Sequence, residues 1–280
     1  MTKPARQAAT CRPFVKWVGG KTQLLPEILS RIPAMETIET YHEPFVGGGA
    51  VFFAIQPNRA VLADSNAELI NAYQVVRDDV EKLINELHKH EHSEEYFYDI
   101  READRSPTFN KWSSVRRASR LIYLNKTCYN GLFRVNSKGH FNTPFGRYAN
   151  PNYIDAANLM ACSGALAGVE TLPTTFETII DRVQKNDFVY FDPPYVPISD
   201  TAHFTGYSKN GFNLEMQEAL FNVCCLLHLK KVRFMLSNSA APFVHQLYSR
   251  FKVEIVQASR AVNSNAARRG KVEEVLITNY

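Results

Sequence analysis

Four apolar residues of high strand propensity, Phe188-Val189-Tyr190-Phe191, run directly into Asp192-Pro193-Pro194-Tyr195. Two prolines in succession fix the backbone and give a ladder no N–H, so a strand must end there. A short run without polar alternation predicts a strand buried on both faces, as in a largely parallel sheet. Ligands of such sheets bind beyond the carboxyl ends of the strands, which is where this tetrapeptide falls. The plain alternative is a proline-rich strand exit with a helix-capping Asp, and the glycine segment upstream weighs against it.

Residues 41–46 (YHEPFV) read as a short strand that ends at Gly47-Gly48-Gly49, and residues 50–55 (AVFFAI) resume as an apolar helix start. Residues 59–62 lead to Asp64 and form a second strand ending in an acid. Strand, glycine turn, helix, strand and acid open a doubly wound nucleotide-binding sheet. Glycines let the backbone curl closely around a ligand, and Phe45 is placed to pack on a purine ring. Asp64 is placed for ribose hydroxyls, at an offset from the glycines that agrees loosely with the usual 20 or so residues. Nearer the N-terminus, Lys16-Trp17-Val18-Gly19-Gly20-Lys21 joins cations, an aromatic and a turn. It lacks the spacer of a phosphate-binding P-loop. A cofactor bearing a carboxylate and a sulfonium suits it, with Lys21 meeting the carboxylate and Trp17 packing on the cofactor or its cation.

Further along, Leu69, Tyr73, Val76, Val80, Leu83 and Leu87 recur at spacings of three and four, predicting one amphipathic helix over 68–88. The pattern breaks at Ser106-Pro107 and returns as a helix over 115–128. Residues 129–148 turn to Asn, Gly, Arg and aromatics, with turn signals at Asn130-Gly131 and Lys138-Gly139 that indicate a hairpin or loop. Strands are expected again at 188–191, 232–236, 253–256 and 275–278, with a helix over 214–229. The fold class is therefore α/β, doubly wound, with a mostly helical insert containing a hairpin. The expected division is 1–66 and 166–280 for the two parts of the sheet domain and 67–165 for the insert.

Charge adds a partner. The net charge of +4 says little, yet no Asp or Glu occurs between Arg105 and Ile154. That stretch carries Lys111, Arg116, Arg117, Arg120, Lys126, Arg134, Lys138 and Arg147. Lys3, Arg6, Arg12, Lys16 and Lys21 precede the first acid, and Arg260, Arg268, Arg269 and Lys271 form a third basic run. Interleaved with Tyr and Phe, these runs point to a polyanion such as nucleic acid. Five cysteines, an odd number without metal-ligand spacing, argue for free thiols rather than disulfides or zinc. No apolar stretch approaches the roughly 20 residues of a membrane span, and residues 1–10 lack a signal peptide's apolar core. A cytoplasmic protein without a membrane partner is expected.

The tetrapeptide suits one chemistry in particular. An exocyclic amine on a nucleobase is a poor nucleophile because its lone pair is delocalised into the ring. A carboxylate (Asp192) and a backbone carbonyl (Pro193) can accept its two N–H groups and favour the pyramidal, reactive form. Pro193 and Pro194 hold the acceptors convergent, and Tyr195 offers a ring to stack on a base that has left the helix. Without a Pro-Cys nucleophile, covalent attack on cytosine carbon-5 is disfavoured.

The segments KWVGGK, EPFVGGGAVFF, LADSNAELI, LNKTCYNGLFRVNSKGHFNTPFGRY, FVYFDPPYVPIS and RRGKVEEVLITNY resemble the Dam-like adenine methyltransferases that modify GATC, in the same order and from about Pro13 to Tyr280. The resemblance implies a Rossmann-like S-adenosylmethionine-dependent domain that flips adenine out of duplex DNA and methylates N6 directly. It implies that Trp17, Lys21, Phe45, Gly47, Asp64 and Asp192 contact S-adenosylmethionine, with no metal. It implies catalysis by Asp192, Pro193, Pro194 and Tyr195. For DNA it implies Lys16, Asn130, Leu132, Arg134, Pro144 and Tyr148, with Arg134 as a bidentate donor to a guanine edge. Val135 departs from relatives that carry an aromatic there. Double-stranded DNA is the implied partner, together with a restriction endonuclease working without stable complex. A solitary adenine methyltransferase, a cytosine-N4 methyltransferase and a non-catalytic DNA-binding relative are the alternatives.

Overall fold

The computed structural model describes residues 10–196, 212–259 and 271–280. Lys3, Arg6, Arg260, Arg268 and Arg269 of the basic runs lie outside the described residues, as do Pro197, Ile198 and Ser199 after the Asp-Pro-Pro-Tyr motif. The strands are β1 (Tyr41–Glu43), β2 (Ala60–Asp64), β3 (Glu170–Pro173), β4 (Phe188–Phe191), β5 (Arg233–Ser239), β6 (Lys252–Ser259) and β7 (Lys271–Thr278). The helices are α1 (Leu25–Leu29), α2 (Ala50–Ile55), α3 (Ala67–Asp78), α4 (Val80–Leu87), α5 (Glu94–Glu102), α6 (Ser114–Thr127), α7 (Ala156–Leu166), α8 (Leu214–Leu229) and α9 (Pro242–Leu247). None is long and apolar enough to cross a membrane.

The strands join in one sheet of order β3-β2-β1-β4-β5-β7-β6. β1 pairs parallel with β2 and β4, and β4 pairs parallel with β5. β7 returns antiparallel between β5 and β6. The strand order reverses direction at β1, which has β2 on one side and β4 on the other. The carboxyl ends of β1 and β4 thus flank the switch point where sheets of this kind bind ligands. The mixed α/β architecture expected from the sequence is present.

The chain divides into two compact units. One comprises residues 21–46, 57–65 and 172–280, the other residues 1–20, 47–56 and 66–171. The core of the first is built from the central strands and α8. Val189 and Phe191 of β4, Phe234 and Leu236 of β5, and Val275 and Ile277 of β7 pack with Leu220, Cys224 and Leu227 of α8, all buried. All four residues of β4 are fully buried, as its unbroken apolar run requires. Asn213 starts α8 by accepting from the Met216 N–H.

The second unit is largely helical. Phe97, Tyr123, Leu124, Cys128 and Phe141 form a core in which α5 and α6 meet the segment after α6. The expected single helix over 68–88 is two, because Asp79 leaves the helical region at φ −135° between α3 and α4. Two adjacent aspartates are poor interior helix formers. The apolar spacing continues unchanged across the break, so periodicity alone does not show it. Residues 129–148 hold the expected turns. Asn130 adopts φ +55°, and Val135 pairs antiparallel with Phe141 around a turn containing Gly139 at φ +81°. β3, α5 and α7 are elements that the sequence pattern did not reveal.

Candidate active site

In the sheet unit the Asp-Pro-Pro-Tyr segment leaves β4 and is anchored at several of its polar atoms. The Lys21 ammonium lies 2.7 Å from Asp192 Oδ1, and the Ser237 hydroxyl donates to the same oxygen at 3.0 Å. Gln217 of α8, fully buried, donates to the Pro194 carbonyl at 3.0 Å. Asn238 accepts from the Val196 N–H at 3.2 Å and donates to Gln217. The Ser239 hydroxyl donates to the Val196 carbonyl. Neither proline has an N–H to satisfy, so a few side chains of β5 and α8 suffice to fix the turn.

Tyr195 completes the cluster. Its hydroxyl donates to Glu274 Oε2 at 2.6 Å, and Lys21 Nζ stands 4.6 Å from its ring centroid. Burial pushes the Asp192 carboxyl above the usual carboxylate range, against the opposing pull of the Lys21 ammonium and the Ser237 hydroxyl. Burial also raises the Tyr195 phenol well above its ordinary value, helped by the negative charges of Asp192 and Glu274. It therefore remains a protonated donor at neutral pH.

Phe45 follows β1 and stacks on Phe176 at 5.3 Å, with its edge toward Phe191, the residue before Asp192. A crevice in this unit is lined by Pro44, Ala63, Thr174 and Thr175, neighbours in sequence of Phe45, Asp64 and Phe176. Asp64 ends β2, and its carbonyl accepts from the Thr174 N–H. One unit thus gathers a buried ammonium, carboxylates at the ends of two strands and a paired aromatic surface. These donor and acceptor types fit the carboxylate, hydroxyls and purine of S-adenosylmethionine.

The other expected residues lie in the helical unit. Trp17 packs its indole over Gly47, where a Cβ would come within 2.6 Å of the ring, and stacks on Phe133 at 5.4 Å. Gly47 also offers its carbonyl to Tyr73, whose hydroxyl would lie 2.6 Å from a Cβ on Gly49. Asn125 holds the Lys16 backbone through both its N–H and its C=O at 2.7 Å and reaches the Gly131 carbonyl. The Lys16 ammonium sits over the Tyr148 ring at 4.5 Å. Gly131 and Tyr148 are therefore neighbours of Lys16 although more than a hundred residues separate it from either. Arg134 is exposed and donates to the Asn142 side chain at 2.8 Å. The Leu132 carbonyl accepts from Thr143, and the Pro144 carbonyl from the Tyr129 N–H. Asn130 and Pro144 are exposed.

Two cations of the long basic run serve the fold instead of a ligand. Arg117 pairs with Glu68, and the buried Arg120 pairs with Asp104 and the carbonyls of Ile100 and Arg101. Sequence spacing signals neither. Ser237, Gln217, Asn238, Glu274, Phe176 and Phe133 are site neighbours that motif reading missed, because each touches the motifs only through tertiary packing. Among the described residues no cluster of His, Cys, Asp or Glu is arranged to hold a metal.

A sheet in this order with polar side chains gathered at the exit of β4 has the layout of an α/β protein that binds ligands at its strand ends. The family model described as D12 class N6 adenine-specific DNA methyltransferase matches residues 17–262, and the chain belongs to that family. The chain is 43% identical over 273 residues to a type II methyltransferase of Lactococcus lactis subsp. cremoris, covering 96% of this chain and 95% of the relative. It is 40% identical over 287 residues to a type II methyltransferase of Methanocaldococcus jannaschii, covering 96% and 99%. To the DNA adenine methylase of Escherichia coli it is 37% identical over 270 residues, covering 95% and 94%. The enzyme is thus an adenine-specific DNA methyltransferase, and its family implies S-adenosylmethionine as methyl donor and DNA as substrate.

Proposed function

We propose that this enzyme methylates N6 of adenine within double-stranded GATC by flipping the base and transferring the methyl group directly, without a covalent enzyme intermediate. The observation that carries the reading is the anchored Asp192 carboxylate at the exit of β4, with the Tyr195 ring beside it. The Asp192 carboxylate and the Pro193 carbonyl accept hydrogen bonds from the two amino N–H groups, which localises the lone pair on nitrogen. Tyr195 stacks on the extruded ring and offsets part of the cost of unstacking, a few kcal/mol. When bound, S-adenosylmethionine supplies an activated methyl group. Lys21, Phe45, Asp64 and Asp192 of the sheet unit hold it, with Trp17 and Gly47. Lys21 and Asp64 answer its polar groups, and Phe45, backed by Phe176, offers its purine a surface.

Residues 67–165 act as the target-recognition insert between the catalytic parts 1–66 and 166–280. Lys16, Asn130, Leu132, Arg134, Pro144 and Tyr148 contact the duplex, and Arg134 reads a guanine edge. The Lys16–Tyr148 pairing and the exposed position of Arg134 support this assignment. The GATC assignment rests on the likeness of residues 124–148 to Dam-like enzymes. The biological role we infer is protection of DNA from a cognate restriction endonuclease that forms no stable complex with the methyltransferase. The type II methyltransferases among its relatives favour this role over a solitary one.

The test is methylation of matched duplexes with labelled cofactor. GATC duplexes should be modified at adenine N6, while duplexes with a changed central base pair should not. Modification at cytosine N4, or equal activity on both duplexes, overturns the assignment. Modified DNA should also resist an endonuclease that cuts unmethylated GATC.

A further inference from the structure

We infer that Glu274 is a positioning residue for the methyl-transfer reaction, holding in place the Tyr195 ring on which the target adenine stacks. The inference rests on the reading of Tyr195 as the base platform and adds to it the group that aims the platform. Glu274 lies on β7, opposite Ser239 of β5 and Val256 of β6 in the antiparallel ladder. From that strand its carboxylate accepts a hydrogen bond from the Tyr195 hydroxyl at 2.6 Å, the length of a charge-assisted O–H···O⁻ bond.

A tyrosine ring has two torsions. The hydroxyl oxygen lies on the axis of the second, so with Cα held by the turn the bond to Glu274 fixes the first torsion and the line along which the ring lies. A phenol O–H prefers the ring plane, so a donor aimed at one carboxylate oxygen also biases rotation about that line. The turn is held by Gln217 on the Pro194 carbonyl and by Asn238 on the Val196 N–H. Lys21, 4.6 Å from the ring centroid and paired with Asp192, spans the space between platform and acceptor. Charge therefore alternates along the line from Asp192 through Lys21 to Glu274, with Tyr195 linking the last two. Transfer requires the amine to meet Asp192 while its ring lies on Tyr195, so a swing of the platform misplaces the amine even when base and cofactor are bound. The phenol is held as a donor and not as a proton acceptor, so Glu274 works through orientation and takes no part in proton transfer.

The experiment is a double-mutant cycle on the full chain with Glu274→Ala, Tyr195→Phe and their combination, with Glu274→Gln and Tyr195→Ala as companions. Single-turnover methylation, equilibrium cofactor binding and the fluorescence of 2-aminopurine at the target adenine are measured together. Glu274→Ala and Tyr195→Phe should each slow transfer roughly 10- to 100-fold, the scale of one lost charge-assisted hydrogen bond. The double variant should be no slower than either single variant. Glu274→Gln, which keeps an acceptor, should recover most of the rate. Cofactor affinity should change by less than about threefold, while the 2-aminopurine signal of bound duplex changes in Glu274→Ala because the flipped base no longer stacks on a fixed ring. Multiplicative losses in the double variant, or a wild-type rate in Glu274→Ala, overturn the inference. If Tyr195→Ala itself transfers at the wild-type rate, the base-platform reading fails as well. If Tyr195→Ala is inactive and Glu274→Ala is not, only the role of Glu274 fails.

Discussion

Lys21 and Asp192 form an ion pair at 2.7 Å in which the lysine side chain is only 6% exposed. They stand 171 positions apart in sequence, and the folding of the sheet unit brings them together. Burial favours the neutral Asp192, whereas Lys21 and Ser237 favour the carboxylate. Burial and these two partners thus act in opposite directions on the group proposed to grip the amine.

This balance sets a pH dependence. Asp192 titrates above the usual carboxylate range, and the active form is the carboxylate, so activity is lost as pH falls through that raised value. Lys21→Met removes the main influence that lowers it, and the acid limb of the single-turnover pH profile should move to higher pH. Lys21→Arg, which keeps the charge, should leave the limb near its wild-type position. An unmoved limb in Lys21→Met would mean that Asp192 does not govern it.

Gln217 is buried between the Pro194 carbonyl and Asn238. Gln217→Leu keeps the volume and strips both bonds, leaving buried polar groups without partners at a cost of about 1–3 kcal/mol. Urea titration should show that loss of stability, together with slower methyl transfer because the turn after β4 loosens. Unchanged stability would contradict the bonding pattern.

His90 sits in the helical unit with Tyr96 and Ser119 on its two ring nitrogens and Tyr123 stacked at 4.4 Å. Burial pushes its pKa down to about 4, so the folded chain excludes a proton that the unfolded chain binds near 6.5. Its contribution to stability is complete above pH 6.5 and is lost as pH falls toward 4. In that window the slope attributable to His90 is about 1.4 kcal/mol per pH unit. Denaturant titrations of His90→Gln across the window should lack this component. An identical slope in the variant would show that His90 is not the group responsible.

How much of this was legible in the sequence follows from where each signal resides. The unbroken apolar run of β4 and its two prolines located the strand, its burial and its exit, since these are local consequences of propensity and missing N–H groups. The Asp192–Lys21 proximity was not local. The sequence reading gave Lys21 to a cofactor carboxylate, and the structure shows the ammonium on Asp192. The break at Asp79 was hidden because both helices keep one apolar register. Ser237 and Glu274 lie just outside the strands expected at 232–236 and 275–278, and their contacts emerge only when β5 and β7 are placed beside the turn after β4.

Gly47 has φ +46°, and a Cβ there would meet the Trp17 indole at 2.6 Å. Gly47→Ala should therefore cost about 1–2 kcal/mol from backbone strain and displace Trp17 from Phe133. In a Trp112→Phe background, the emission of Trp17 should shift on that substitution. A superimposable spectrum with unchanged stability would contradict the packing described here.

The most direct measurement is single-turnover methyl transfer by Asp192→Ala to a GATC duplex, alongside duplex binding at fixed salt. Loss of one preorganised acceptor at the reacting amine should lower the rate by roughly 100- to 1,000-fold or more while much of the DNA affinity remains. A variant that transfers methyl within about tenfold of the wild-type rate would contradict the role assigned to this carboxylate.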